Sequence, residues 1–395
     1  MPSPNWSQAV LAEDWQNGGF GLYIHWPFCQ AKCPYCDFNS HVVRHIDQSA
    51  WVRAYIHELD RVAGELPHRV LNTIFFGGGT PSLMAPDTVA AILDHVKRLW
   101  PMGNDPEITL EANPGSVEAG KFRGFRDAGV TRISMGIQAL NDRDLQRLGR
   151  IHSVSEAMAA FDIARNCFDR VSFDLIYARQ DQTIADWENE LKQALNMAID
   201  HLSLYQLTIE DGTAFGDRYK IGKLRGLPDD DTAADMFAVT QSLCTDAGLL
   251  NYEVSNHARP GAESRHNLIY WRYGDYAGIG PGAHGRITLD GQRFATECLR
   301  APGAWLQAVD QGRAESVRMP ISPHEQAQEY LLMGLRLRDG IDLERYRNLS
   351  GTAIDPVAID HLIDLGMVTA RNQSLSVTDQ GLMVLNSVIA ELASD

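Results

Sequence analysis

Three cysteines, Cys29, Cys33 and Cys36, stand at C-x3-C-x2-C directly behind the apolar run Gly21-Leu22-Tyr23-Ile24-His25-Trp26. If that run is a strand, the cysteines occupy the loop leaving it, and their thiols can turn toward one point. Iron-sulfur clusters are usually held by four thiolates, and structural zinc by four nitrogen or sulfur ligands. Three sulfurs therefore leave one coordination position unfilled, and on iron such a position is open to a small-molecule ligand. A zinc knuckle completed by His41, or a redox pair, is the other reading of these residues. Asp37, Phe38 and Asn39 follow the third cysteine and place no further Cys or His at zinc-like spacing.

A chain of 395 residues has room for one large domain and a smaller one. No basic, apolar leader opens it and no run approaches the roughly 20 apolar residues of a membrane span, so a cytoplasmic location is expected. Cys167, Cys244 and Cys298 are scattered singly, which suits free thiols in a reducing compartment. Lys and Arg number 35 against 51 Asp and Glu, a formal charge of −16. That balance lacks the basic field that nucleic acid or anionic lipid requires.

Short β-rich runs at 21–26, 71–76, 107–110, 132–137, 171–177 and 201–209 alternate with segments of helical period such as 49–66 and 86–99. Six such repeats predict an α/β fold with a parallel sheet, an open (β/α)6 version of the eight-fold barrel. Chemistry on such sheets collects where the strands end. There the sequence offers the cysteine loop, Gly77-Gly78-Gly79-Thr80-Pro81, Glu111-Ala112-Asn113-Pro114, Gln138, Asp174, and then Gln206 and Thr208. Glycines without Cβ atoms let the backbone approach a ligand closely, and carboxylates can accept from ribose hydroxyls or an ammonium.

The cysteine spacing resembles that of the radical S-adenosylmethionine superfamily. The resemblance implies a 4Fe-4S cluster on Cys29, Cys33 and Cys36 whose fourth iron is chelated by S-adenosylmethionine. It also implies that Tyr23, Tyr35, Gly78, Gly79, Thr80, Glu111, Gln138, Arg150 and Asp174 contact that cofactor. Tyr23-Ile24-His25-Trp26-Pro27-Phe28-Cys29, Glu111-Ala112-Asn113-Pro114 and Arg132-Ile133-Ser134-Met135-Gly136-Ile137-Gln138 narrow the likeness to the oxygen-independent coproporphyrinogen oxidase-like branch. The decarboxylating dehydrogenases of that branch carry another cysteine where this chain has Phe38, and a longer stretch ahead of the cluster strand. His266-Asn267-Leu268-Ile269-Tyr270-Trp271 instead resembles the H-N-x-x-Y-W motif of the HemW-type heme chaperones. That likeness implies heme at His266, Tyr270 and Trp271, with an imidazole as axial ligand and flat rings to stack on the porphyrin. His257 and His284 are weaker rivals for the ligand.

The expected domains are an N-terminal tail (1–20), the barrel (21–255), a linker region bearing the heme motif (256–320), and a helical, winged-helix-like module (321–395). The last carries 5 basic and 11 acidic residues, a poor match to DNA. Heme delivery to apo-hemoproteins such as respiratory enzymes is the implied activity, with a low-potential electron donor if the radical chemistry is used. Radical decarboxylation of coproporphyrinogen is the alternative.

Overall fold

The computed structural model describes residues 14–116 and 119–393. Six strands, β1 (Phe20–Trp26), β2 (Leu71–Gly78), β3 (Met102–Ala112), β4 (Arg132–Gln138), β5 (Arg170–Tyr177) and β6 (His201–Gln206), lie side by side and parallel. The crossovers between them run through α1 (Gln48–Glu65), α2 (Pro86–Leu99), α3 (Ala119–Ala128), α4 (Val154–Cys167) and α5 (Ile184–Met197). Local chemistry sets the helix starts. Asp47 accepts from the Ser49 and Ala50 N–H groups, Pro86 opens α2, and reciprocal Ser153/Glu156 and Thr183/Asp186 caps open α4 and α5. The outward strand faces and the helices share one core, including Leu22, Ile24, Ile74, Phe76, Leu110, Ile133, Phe173 and Leu202. This is the open (β/α)6 barrel that the alternating pattern predicts.

Residues 256–320 are not a linker. After α6 (Asp230–Asp246), β7 (Leu250–Asn251) and β8 (Asn256–Ala258) extend the sheet beyond β6. Beyond α7 (Arg265–Trp271), the chain returns to the far side of β1 as β9 (Asp275–Ile279), followed by β10 (His284–Leu289), β11 (Gln292–Cys298) and, after α8 (Pro302–Val309), β12 (Glu315–Pro320). The twelve-stranded order is β12-β11-β10-β9-β1-β2-β3-β4-β5-β6-β8-β7. β9 pairs parallel to β1, so this segment forms part of the barrel wall. Asp290 and Gly291, both at positive φ, make the two-residue turn between β10 and β11.

The C-terminal module has its own core, with Leu331, Leu335, Leu349, Leu362, Leu375 and Val388 at its centre. It comprises α9 (Pro323–Gly334), α10 (Leu343–Ser350), α11 (Pro356–Asp364) and α12 (Leu385–Leu392). A small sheet, in the order β13 (Ile341–Asp342), β15 (Ser374–Val377), β14 (Val368–Arg371), completes the winged-helix-like arrangement. Ion pairs join it to the barrel: Arg286 grips both oxygens of Glu329 at 2.8 and 3.1 Å, and Arg345 grips those of Asp14 at 2.8 and 3.0 Å. No helix among the described residues is long and apolar enough to cross a membrane.

Candidate functional site

Successive residues of a strand point to opposite faces, and here the lumen face is polar. Glu107, Thr109 and Glu111 follow one another on β3, Arg132, Ser134, Gly136 and Gln138 on β4, Arg170, Ser172 and Asp174 on β5, and His201, Ser203 and Tyr205 on β6. Hydrogen bonds tie the set together from strand to strand. Arg132 donates to the Ser172 hydroxyl at 2.8 Å, Ser172 to Ser134 at 3.2 Å, and Arg170 to Glu107 at 3.1 Å.

At the C-terminal strand ends the cysteine loop folds over the lumen. The Thr80 hydroxyl donates to Cys29 Sγ at 3.4 Å and an Arg150 guanidinium N–H to Cys33 Sγ at 3.3 Å, so β2 and the turn beyond β4 both reach the sulfurs. Arg150 also donates to the Gly136 carbonyl at 2.9 Å. Burial, and then the charges of the neighbouring thiols, hold Cys36 above the usual thiol range; burial raises Cys29 likewise. Tyr35, half-buried against Phe215, has its hydroxyl pushed up by burial. From below, the loop is held by β1: the Tyr23 hydroxyl meets His25 Nδ1 at 3.0 Å, and His25 Nε2 meets the Asn39 carbonyl at 3.0 Å. The Asn39 amide in turn donates to the Pro281 and Arg300 carbonyls at 2.8 and 2.9 Å.

The glycine turn after β2 is sterically required. A Cβ on Gly79 would lie 2.6 Å from the Phe28 carbonyl oxygen, and one on Gly78, at φ +109°, would enter the His25 ring. Because the obstacle at Gly79 is backbone, Gly79→Ala is expected to displace the cysteine loop. The change should cost about 2 kcal/mol or more and reduce iron uptake severalfold, both readable by thermal melts and iron assay. Unchanged melting and iron content would refute this reading of the turn.

Glu111 on β3 and Asp174 on β5 stand near the lumen-side strand ends with β4 between them, and Glu111 Oε2 accepts from the Gly78 N–H at 3.2 Å. Burial, and then the charge of Asp174, push the Glu111 carboxyl up to about 8; burial pushes Asp174 up to about 6. Gln138 sits beside them at φ +76°, where the β4/β5 register shifts. Such irregularities re-aim a side chain at the rim of a site. Glu111 is half-buried, so only part of its shift translates into stability. With a folded-state value above the unfolded one, folding holds an extra proton between about pH 4.5 and pH 8. Stability at this site is therefore greatest below that window and falls as pH rises through it. Glu111→Gln should raise the melting temperature of the cofactor-free protein at pH 8.5, by about 1–2 kcal/mol in free energy, and leave it little changed at pH 4.5. Parallel pH profiles for the two proteins would contradict this.

The heme-motif helix α7 closes the other end of the lumen, packing on β1, β2 and β9. His266 is 1% exposed. Its Nδ1 meets the Thr73 hydroxyl and its Nε2 the Tyr270 hydroxyl, both at 2.7 Å. Its ring stacks on Phe75, with centroids 5.0 Å apart, and its backbone N–H donates to Glu107 at 3.1 Å. Burial, and then Arg132, push the imidazole down to about 3, so it is neutral. Both ring nitrogens are committed to hydroxyl partners, so a metal can reach one only if α7 moves. Tyr270 packs edge-on against Tyr276 within the lumen. Trp271 points elsewhere, into a cleft of about 640 Å³ between the barrel and the C-terminal module, beside Arg272, Tyr330 and Arg345. The rivals differ: His257 is buried, whereas the His284 side chain is 55% exposed at the rim. The Gly280-to-Gly285 segment lies against Asn39 and His25, beside the cysteine loop.

The radical SAM superfamily model matches residues 23–194 and the HemN C-terminal domain model residues 321–384. The heme chaperone HemW of Escherichia coli is 39% identical over 374 residues, spanning 93% of this chain and 96% of that protein. The chain belongs to the HemW family of the radical SAM superfamily. The HemW-named protein of Haemophilus influenzae is 37% identical over 93% of this chain and 96% of its own length. The mitochondrial radical S-adenosyl methionine domain-containing protein 1 of Bos taurus is also 37% identical, over 94% and 87%. Among solved structures, the coproporphyrinogen III oxidase HemN of Escherichia coli superposes with a TM-score of 0.80 at 20% identity, over 100% of this chain and 94% of that one. That likeness speaks for the fold.

Membership of the superfamily implies a 4Fe-4S cluster and S-adenosylmethionine, and the residues of this HemW-family chain fit both. The donor set is three thiols: Asp37 is exposed, and the His41 imidazole meets the Asn39 side chain at 3.2 Å. Arg150 Nε is buried with no partner in the protein, a donor aligned with the cysteine loop and suited to an anionic or polar ligand group. Sequence reasoning missed His25, Asn39, Ser134, Ser203 and Tyr205. The polar residue at every second position of β4 to β6 was the signal, because strands buried on both faces read as continuous apolar runs.

Proposed function

We propose that this HemW-family chain is a cytoplasmic heme chaperone that binds heme and passes it to apo-hemoproteins. The observation carrying the proposal is the likeness, along nearly the whole length of both chains, to relatives named heme chaperones. Phe38, standing where the decarboxylating enzymes have a further cysteine, supports it over coproporphyrinogen dehydrogenation. Cys29, Cys33 and Cys36 hold the cluster, and Tyr23, Tyr35, Gly78, Gly79, Thr80, Glu111, Gln138, Arg150 and Asp174 surround S-adenosylmethionine. When bound, the pair supplies one-electron chemistry. Gly78 and Gly79 bring backbone to the ligand, Glu111 and Asp174 accept its hydroxyl or ammonium protons, and Arg150 fixes Cys33 to β4. His266 becomes the heme ligand when α7 releases Thr73, with Tyr270 beside it, and the same movement of α7 has to bring the Trp271 ring out of its cleft to the porphyrin.

Anaerobic titration of cluster-loaded protein tests the proposal. About one heme per chain should bind, and coproporphyrinogen III incubated with reduced, S-adenosylmethionine-loaded protein should release no CO2. Catalytic CO2 release without heme binding would replace this function with the dehydrogenase.

A further inference from the structure

The segment that carries His266 is anchored at one end and pinned at the other by two charged side chains. At its C-terminal end, Tyr273 stands at φ +54°, donates its hydroxyl to Glu329 at 2.8 Å and lies under the Arg293 guanidinium, 4.1 Å from the ring centre. Gly274 follows so close to the chain at 18–19 that a Cβ on it would lie 2.6 Å from the Gly19 carbonyl oxygen. At the N-terminal end, Gly261 stands at φ +85° with open space around it. Between these two points the segment is held to the N-terminal half of the barrel. Arg170, the first residue of β5, donates to the Ala262 carbonyl and, at 3.4 Å, to the Glu263 carbonyl. It also donates at 3.1 Å to Glu107 of β3, whose other oxygen accepts the His266 N–H at 3.1 Å. Glu107 is 1% exposed. The neighbouring Arg265–Asp105 pair is 43 and 89% exposed, and such surface pairs hold little.

We propose that residues 261–274 form a flap over the N-terminal mouth of the barrel, hinged at Tyr273 and latched by Glu107 and Arg170, and that heme reaches His266 through this mouth, at the end opposite the cysteine loop. The inference rests on His266 being the heme ligand. Hydrogen bonds to ionised groups are the strong ones, and here they fall on 262, 263 and 266, the part of the flap farthest from its anchor. Opening the flap breaks these bonds and the one to Thr73, but Glu107 and Arg170 stay paired with each other and Arg170 keeps Asp200 at 3.5 Å. No charge is left alone in the barrel, which is what would make opening prohibitive. Glu107 and Arg170 are thus positioning residues. They set the fraction of chains in which the imidazole is accessible, and the association rate and apparent affinity for heme scale with that fraction. Release from the open, heme-bound chain does not involve the latch.

The test uses the full-length, cluster-loaded chain, with ferric heme as the probe and amide hydrogen exchange as a readout that needs no heme. Glu107→Gln keeps an acceptor for the His266 N–H and removes the charge that Arg170 grips; Arg170→Met removes the bonds to 262 and 263. In both variants the peptide covering 262–272 should exchange about tenfold faster, with β1 to β5 unchanged, because local opening is what exchange reports. Heme association should rise about tenfold and release into a scavenger should stay within about twofold. Asp105→Asn, which breaks the exposed pair, should leave all three quantities at wild-type values. Wild-type exchange over 262–272 in both latch variants would overturn the proposal. So would slower association or faster release accompanied by faster exchange across the strands, the signature of general damage to the fold. A wild type that binds no heme would fault the ligand assignment of His266 instead, and the exchange comparison would still decide the latch.

Discussion

Chains carrying Cys29→Ala, Cys33→Ala or Cys36→Ala leave anaerobic reconstitution with less than about one iron each, against about four in the wild type. Each thiolate is one of only three that the loop offers, and no neighbour is placed to substitute. His41 meets Asn39, Asp37 faces solvent, and the remaining cysteines, Cys167, Cys244 and Cys298, lie on α4, α6 and β11. Removing one sulfur also strands the group that was bonded to it: Thr80 for Cys29, Arg150 for Cys33. The barrel core of Leu22, Ile74, Leu110 and their neighbours does not involve these thiols. The variants should therefore melt within about 1 kcal/mol of the unloaded wild type. A single-cysteine variant that kept a full iron complement, or a wild type that took up one zinc and no iron, would contradict the reading of the loop.

Heme binding is expected to fall more than tenfold in His266→Ala and to survive in His284→Ala. The first change is also structural. It deletes a buried imidazole with two hydrogen bonds and a stack on Phe75, worth about 2–4 kcal/mol. A second variant separates the effects. Thr73→Val removes one bond that keeps α7 closed while leaving the imidazole in place, so it should bind heme faster than wild type. Heme affinity lost in His284→Ala and kept in His266→Ala would move the ligand to the exposed rim.

The barrel was legible in the sequence because buried parallel strands alternate with helical segments: five runs fall within β1 to β5, and the sixth, 201–209, overshoots the end of β6 by three residues. β3 alone is much longer than its run, since Gly103, Asn104, Asp105 and Pro106 read as a loop. The cysteine loop, the glycine turn and the strand-end carboxylates were legible too, being short motifs after apolar runs. The wall formed by β8 to β12 was not, although Asp290-Gly291 between two β-rich segments is a hairpin signal. The position of His266 could not be read at all. Its backbone partner, Glu107, lies 159 residues away, and nothing local tells whether the second residue of an aromatic-rich helix faces solvent or the lumen.

Transfer is the measurement closest to the central claim. Heme-loaded chain, with its cluster in place, is mixed with an apo-hemoprotein in the presence of a heme scavenger, and the recipient's spectrum is followed. The expected result is holo-protein formed at a rate that depends on both protein concentrations and exceeds the rate of spontaneous heme release. Transfer no faster than release, or a wild-type chain that binds no heme, would contradict the account.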